Sequence, residues 1–284
     1  MNLNNSKDLK NKTENQNIEK PFALHIQGGN MKRRIFCTVF AAFFAFSLYA
    51  GDSAVLVDNG FSDNGKYYIF GQYGKTDKKF QGWAEIFIVD VAANDYVDNG
   101  VFKTKPSAVT ADKSGKEVYE ALAGKSYFET RKYNCSPANP DRILYIRENE
   151  DKLGVDEIVF KDFINSVGPG QGVYSVKLIP SVKGTGLDSS SSFYIELKKK
   201  DASGKTLAYQ KIGSPNIVRK GVTNYKIERI VCDKTGHNLV FIVEKTMEDK
   251  TGVNIRYMIE TAVLGNSFFE NYGMRESLSS YDAK

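Results

Sequence analysis

Phe193-Tyr-Ile-Glu-Leu-Lys198 is followed by Asp201-Ala-Ser-Gly204 and then by Thr206-Leu-Ala-Tyr-Gln-Lys-Ile212. Phe193, Ile195 and Leu197 alternate with Tyr194, Glu196 and Lys198. A period of two puts the apolar side chains on one face of an extended strand and the polar ones on the other. Asp201–Gly204 has the composition of a tight turn. The stretch therefore predicts an antiparallel hairpin with one buried face.

The same kind of run recurs on both sides. Strands are expected at Lys66–Tyr73, Ala84–Val91, Arg142–Glu148, Val155–Phe160 and Val173–Ile179, and again at Tyr225–Cys232, Leu239–Lys245 and Val253–Val263. Asn-Gly at 59–60, 64–65 and 99–100 signals a turn each time. Asp58–Gly65 is rich in oxygen ligands, but Ile69 stands where a twelve-residue calcium loop needs its bidentate Glu. Consecutive turns are the reading there. Gly184–Ser192 reads as a loop. Gly168–Gly172 reads as a turn, because it lacks the Gly-Lys-Ser/Thr of a phosphate loop. One helix is expected near 114–133. Ser114 and Glu117 fit a capping box, and Val118, Ala121, Leu122 and Phe128 supply an apolar face. Gly124 weakens its middle, and Asn134, Pro137 and Pro140 end it.

The first fifty residues of the chain carry a different signal. Lys32-Arg-Arg34 precedes the apolar run Ile35–Leu48, and Ala50 offers a small residue for cleavage. This is the order of a secretory signal peptide. The apolar run spans about 21 Å as a helix, short of the roughly 30 Å of a hydrocarbon core. Cleavage is expected after Ser47 or after Ala50. Residues 1–30 are polar and read either as a disordered tail or as an upstream extension, with Met31 the true start. The second reading is preferred, because Gln27-Gly-Gly-Asn30 can be encoded by a purine-rich ribosome-binding sequence. The expected organisation is therefore an extension over 1–30, a signal peptide over 31–50 and one exported β-rich domain over 51–284, periplasmic or extracellular.

Processing changes the composition. The whole chain carries 39 basic and 34 acidic residues. Residues 1–50 hold 7 of the former and 3 of the latter, so 32 and 31 remain. A nearly neutral domain gives no reason to expect nucleic acid as a partner. Lys198-Lys-Lys200 reads as a solvated strand end. Cys135 and Cys232 remain, free either to pair in an oxidising compartment or to stay as two buried thiols. No Cys/His spacing suggests a metal, and no cofactor is expected. His237 alone survives of two histidines. Any His-based mechanism would have to use it, and Asp233–Asn238 reads as a surface turn.

Two segments look alike. Phe61-Ser-Asp-Asn-Gly-Lys-Tyr-Tyr-Ile-Phe70 is followed by Glu85-Ile-Phe-Ile-Val-Asp90, and Val231-Cys-Asp-Lys-Thr-Gly-His-Asn-Leu-Val-Phe241 by Asn254-Ile-Arg-Tyr-Met-Ile-Glu260. Both resemble the blade motif of periplasmic propellers of the Tol system. Blades take roughly 40–45 residues, so the exported part holds five at most, and the helix takes one place. A full propeller is disfavoured. The first unit, with its Phe-Ser-x-Asn-Gly turn and its Ile-Phe-x-x-Asp strand, also resembles the opening of a family of predicted secreted bacterial proteins of unknown function. That resemblance implies export and a single domain, and carries over no catalytic residue.

The sequence thus points to a mainly β fold: an antiparallel two-sheet sandwich or blade-like sheets, with one packed helix. Its expected role is a non-catalytic binding or envelope-associated module. The partner would be a protein, a peptide or a glycan. Trp83, Tyr73 and Phe80, with Tyr67 and Tyr68 nearby, are the candidates for an exposed aromatic platform; the bland alternative is that they are core. The alternative function is a secreted hydrolase using paired carboxylates from Glu85, Asp90, Glu196 and Glu260. Nothing in the sequence pairs them.

Overall fold

The computed structural model describes residues 51–76, 79–148, 157–161, 172–250 and 252–264. The readings of residues 1–50, of the Gly-rich run before Gly172 and of the start of the 155–160 strand lie outside the described residues. Three antiparallel sheets and one helix make up the described part, with no closed barrel or propeller. The first sheet holds β1 (Val55–Ser62), β2 (Tyr67–Lys75), β3 (Gly82–Asp90), β4 (Asp95–Thr104) and, after helix α1 (Gly115–Thr130), the short β5 (Cys135–Ser136). Its order is β4-β3-β2-β1-β5. The strands β6 (Ile143–Ile146), β7 (Ile158–Lys161), β8 (Val173–Lys183), β9 (Ser190–Lys200) and β10 (Thr206–Ile212) follow, then β11 (Arg219–Lys220), β12 (Val222–Cys232), β13 (Asn238–Asp249) and β14 (Gly252–Val263). A second sheet runs β14-β13-β12-β6, and a third β10-β9-β8-β7 with β11 paired to β9.

The second sheet lies in the middle of the stack. Leu239, Phe241 and Val243 of β13 join one apolar cluster with Phe193, Ile195 and Leu197 of the third sheet. Val240 and Ile242, pointing the other way, join Tyr68, Phe70, Phe87 and Val89 of the first sheet. All five β13 residues are fully buried. A strand covered on both faces needs a continuous apolar run rather than an alternating one, and Leu239-Val-Phe-Ile-Val243 supplies it. The expectation of a mainly β fold of antiparallel sheets with one packed helix holds. This run has too many inward positions for one covered face, and a third sheet takes up the second face. The first sheet is also covered twice. Ile69, Ala84, Ile86 and Ile88 face Val118 and Leu122 of α1.

Helix α1 begins as the sequence predicts. The Glu117 amide donates to Ser114 Oγ at 3.2 Å, and the Ser114 amide donates back to Glu117 Oε2 at 2.7 Å. Its apolar face differs from the expectation. Val118 and Leu122 are buried, whereas Ala121 and Phe128 are exposed. At about 100° per residue, Phe128 stands some 80° short of a full turn from Val118 and clears the sheet.

The three Asn-Gly pairs also divide. Asn64-Gly65 forms the β1–β2 turn: Gly65 has φ +70° and its amide donates to the Ser62 carbonyl at 2.9 Å. Asn59-Gly60 and Asn99-Gly100 instead lie inside β1 and β4, at irregularities in the strand register. The consecutive turns expected over Asp58–Gly65 are thus a bulged strand followed by one turn. Gly60 has φ +81°, and a Cβ there would fall 1.8 Å from the Ser136 carbonyl oxygen. The bulge and the approach of β5 both require glycine. The expected 201–204 turn forms, with the Gly204 amide donating to the Asp201 carbonyl at 3.0 Å. Lys198 and Lys200 are not a simple solvated end. They reach Glu196 and Glu157 at 2.9 and 2.8 Å across the outer face of the third sheet.

Phe241 contributes to the most enclosed strand of the stack. Phe241→Ala is expected to cost about 3–5 kcal/mol, read as a lower urea midpoint. A loss below about 1 kcal/mol would contradict the doubly covered position of β13.

Candidate functional site

The first described residues turn back onto β14, the last described strand. Ser53 pairs with Ile255 in parallel, the Ala54 amide donates to the Ile255 carbonyl at 3.1 Å, and the Ile255 amide donates to the Asp52 carbonyl at 2.9 Å. Residues 52–54 thereby extend the central sheet beside β14. The Asp52 side chain is buried beneath this seam. Its Oδ2 accepts from the Trp83 indole N–H and from Arg256 Nη2, the latter at 2.8 Å. Arg256 also donates through Nη1 to the Asp52 carbonyl at 3.0 Å. Its guanidinium lies 3.9 Å from the centre of the Trp83 ring. The Asp52 amide donates to Asn254 Oδ1 at 3.0 Å.

Strand β3 delivers Trp83 to this place because its partner in the register is Gly74. A Cβ on Gly74 would fall 2.5 Å from Asp52 Oδ1 and 2.7 Å from the indole. The bare backbone is what admits both groups. Charge, hydrogen bonds and a stacked cation together compensate the burial of the carboxylate. The arrangement is a clasp between the two ends of the domain, with its ionic groups turned inward.

The aromatic platform is corrected accordingly. Trp83 is only 4 % exposed, since its indole N–H finds its acceptor inside. Tyr73 lies on the opposite face of the sheet and packs on Tyr119 of α1, ring centres 5.5 Å apart. Tyr67 packs on Tyr133, and the fully buried Tyr68 donates to Asp58 Oδ1 at 2.7 Å. Burial, aided by the Asp58 charge, raises the Tyr68 phenol well above its ordinary value. Phe80 alone stays outside, 62 % exposed between β2 and β3. Its backbone is left-handed, at φ +49°, a strained conformation for a bulky residue. The Lys75 ammonium lies 5.9 Å from its ring centre. The Thr76 amide donates to the Gln81 carbonyl at 2.9 Å, and Gln81 bridges to Ala111, so the residue after Phe80 is held from two sides.

The four carboxylates are spread over three sheets, each with its own partners. Glu85 accepts from Gln72 at 2.8 Å and pairs with Lys103 at 3.0 Å. Asp90 accepts from the Ala93 amide at 2.9 Å and closes the turn after β3. Glu196 is held below its ordinary pKa, first by its hydrogen bond with Lys198, and accepts from Tyr209 as well. Glu260 is fully buried and accepts from Asn94 at 2.7 Å, while the Thr261 amide and hydroxyl donate to Asn94 Oδ1. His237 is exposed in the β12–β13 turn. Cys135 and Cys232 are free thiols in different apolar clusters, and the pairing that the sequence allows is not formed in this structure. Burial pushes them up to about 12 and about 11, respectively. Among the described residues no group of three or more His, Cys, Asp or Glu side chains is placed to hold a metal ion.

Sequence reading missed Asp52 and Arg256. Asp52 looks like a mere flank of the cleavage site, and only Arg256, a basic residue set between Ile255 and Tyr257 in β14, hints that something acidic must meet it. Removing Arg256 leaves Asp52 buried without its cation. Arg256→Ala should cost about 3–5 kcal/mol and red-shift the emission of Trp83, the only tryptophan of the chain. Arg256→Lys should lose less. An unchanged emission and an unchanged urea midpoint in Arg256→Ala would contradict the clasp.

No helix among the described residues is long and apolar enough to cross a membrane. No curated protein and no solved structure matches the chain. A family model described as predicted secreted protein (DUF2259), a family of unknown function, matches residues 69–262. The match covers the central sheet, the third sheet, helix α1 and most of the first sheet, and on that extent the chain belongs to this family of predicted secreted proteins.

Proposed function

We propose that this is an exported, non-catalytic binding module of the cell envelope that meets its partner through the Phe80 tip. One observation carries this reading. A large apolar side chain is held in a strained backbone conformation, in the open, beside a lysine, at the end of a sheet covered on both faces. Strain of this kind persists where the surrounding structure over-determines it and is concentrated at binding sites. Exposed aromatic rings flanked by cations suit a peptide or glycan surface with apolar and anionic groups. The carboxylates, by contrast, are spent on cations, amides and hydroxyls of the fold, which favours binding over hydrolysis. Phe80→Gly relieves the left-handed backbone. It should raise stability by about 0.5–1 kcal/mol while weakening retention of the protein on isolated envelopes about tenfold. Unchanged retention would refute the tip as the contact.

The same proposal places the signal peptide at 31–50 and the folded domain at 51–284, delivered to the periplasm or beyond. Support comes from Gly51, whose Cβ would collide with the Val253 carbonyl oxygen. The fold engages the chain immediately after the expected cleavage point. Mass spectrometry of the exported protein should find a first residue of Leu48 or Gly51. Peptides from residues 1–30 in that protein would overturn the assignment.

A further inference from the structure

Helix α1 turns Val118, Leu122 and Ser126 to the first sheet, and its other face is left uncovered by the described residues. Phe128 is 67 % exposed and Tyr127 53 %. Two adjacent aromatic rings in the open are a large apolar surface for one helix. They are also ordered. Their ring centres are 5.7 Å apart, and the Arg131 guanidinium stands 5.6 and 5.2 Å from them. One end of the face therefore presents a fixed cation. The other end presents a fixed anion: Ser114 holds Glu117 through the capping box and keeps its carboxyl below its ordinary value. Midway lies Gly124, where a Cβ would meet nothing within 4 Å.

The spacing of these groups is symmetric. Residues 117 and 131 lie equally far from 124, and so do 120 and 128, and 121 and 127. At about 100° per residue all of them fall on the uncovered side. An antiparallel helix related by a two-fold axis at Gly124 would set Glu117 against Arg131 of the second copy, twice. It would lay Phe128 and Tyr127 over Glu120 and Ala121 of the second copy, twice. Side chains on a helix lean towards its N-terminus, so the rings of each copy point at the middle of the other. Two lysines near the face are already neutralised within one chain, while Lys125 stands exposed to one side of it. Lys116 pairs with Glu120 at 3.8 Å and Lys132 with Glu129 at 2.6 Å. A parallel arrangement would instead place like charges together at both ends.

We propose that the chain forms a two-fold dimer by antiparallel packing of α1 against α1 of a second copy, centred on Gly124. A single helix pair belongs to the small, concentration-dependent class of interfaces. The covered surface is self-complementary, as a two-fold contact requires. Neither the family nor the Phe80 tip implies it, since the tip lies outside the helix.

The test is a cysteine on the axis. Gly124→Cys fits without a clash and removes a helix-weakening glycine. Mild oxidation of this variant should give a disulfide-linked dimer. Lys116→Cys, eight residues from the axis, should stay at the level of the unmodified protein, whose own thiols serve as the blank. Adding Arg131→Glu to Gly124→Cys should cut cross-linking at least about tenfold. Phe128→Glu should sediment as a monomer at concentrations where the unmodified protein dimerises. Both side chains are exposed, so circular dichroism should show an unchanged fold. Cross-linking of Gly124→Cys no faster than Lys116→Cys, or indifferent to Arg131→Glu, would overturn the dimer.

Discussion

The fold depends on one strand having no solvent face. Leu239 to Val243 send alternate side chains into two separate apolar clusters, so β13 is the plane on which both outer sheets are laid. Burying side chains of this size contributes about 1.5–3 kcal/mol each, and β13 makes that contribution in both directions. The neighbours follow the same rule. Ile230 and Cys232 face the third sheet while Val231 faces the first, and Met258 and Ile259 divide likewise. Each outer sheet then keeps a polar or helix-covered surface of its own.

Apolar contact alone would let such layers slide. The buried polar groups remove that freedom. Arg229 of β12 reaches Asp58 of β1 at 3.4 Å. Asn94, in the turn after β3, links to both Glu260 and Thr261 of β14. Arg256 of β14 holds Asp52 and covers Trp83 of β3. All three ties join the central sheet to the first sheet or to the segment that leads into it. Hydrogen bonds and ion pairs are directional where hydrophobic burial is not, so these ties fix one register among several that would bury similar area. This accounts for Glu260, a carboxylate that the strand pattern offers as a catalytic candidate, being bound to Asn94 across the two sheets.

Much of the architecture was legible beforehand because local rules and tertiary structure agree. The 193–198 alternation, the Asp201–Gly204 turn, the Ser114 capping box and most strand positions need only neighbours in sequence. What escaped needs distant partners. β1 hides behind Asn59-Gly60, whose usual meaning is a turn. Its role in a bulge depends on Ser136 arriving next to it. β4 was missed for a similar reason at Asn99-Gly100. The third layer was hidden in the β13 run, since a continuous apolar stretch does not say how many sheets will cover it. Trp83 looked like a ligand platform because its acceptor lies far away in sequence, at Asp52. Phe128 was assigned to the buried face of α1 by composition. Its angular position was the evidence against.

The parallel pairing of Ser53 with Ile255 sets an order of events. The first described residues and the last described strand form one seam, about two hundred positions apart. A chain built from its N-terminus carries Asp52 without its Arg256 cation until β14 exists, while the hairpins between them need only nearer partners. Contacts so distant in sequence are slow to close. A chain halted before Arg256 therefore leaves Asp52 without its cation and residues 52–54 without the strand they pair with.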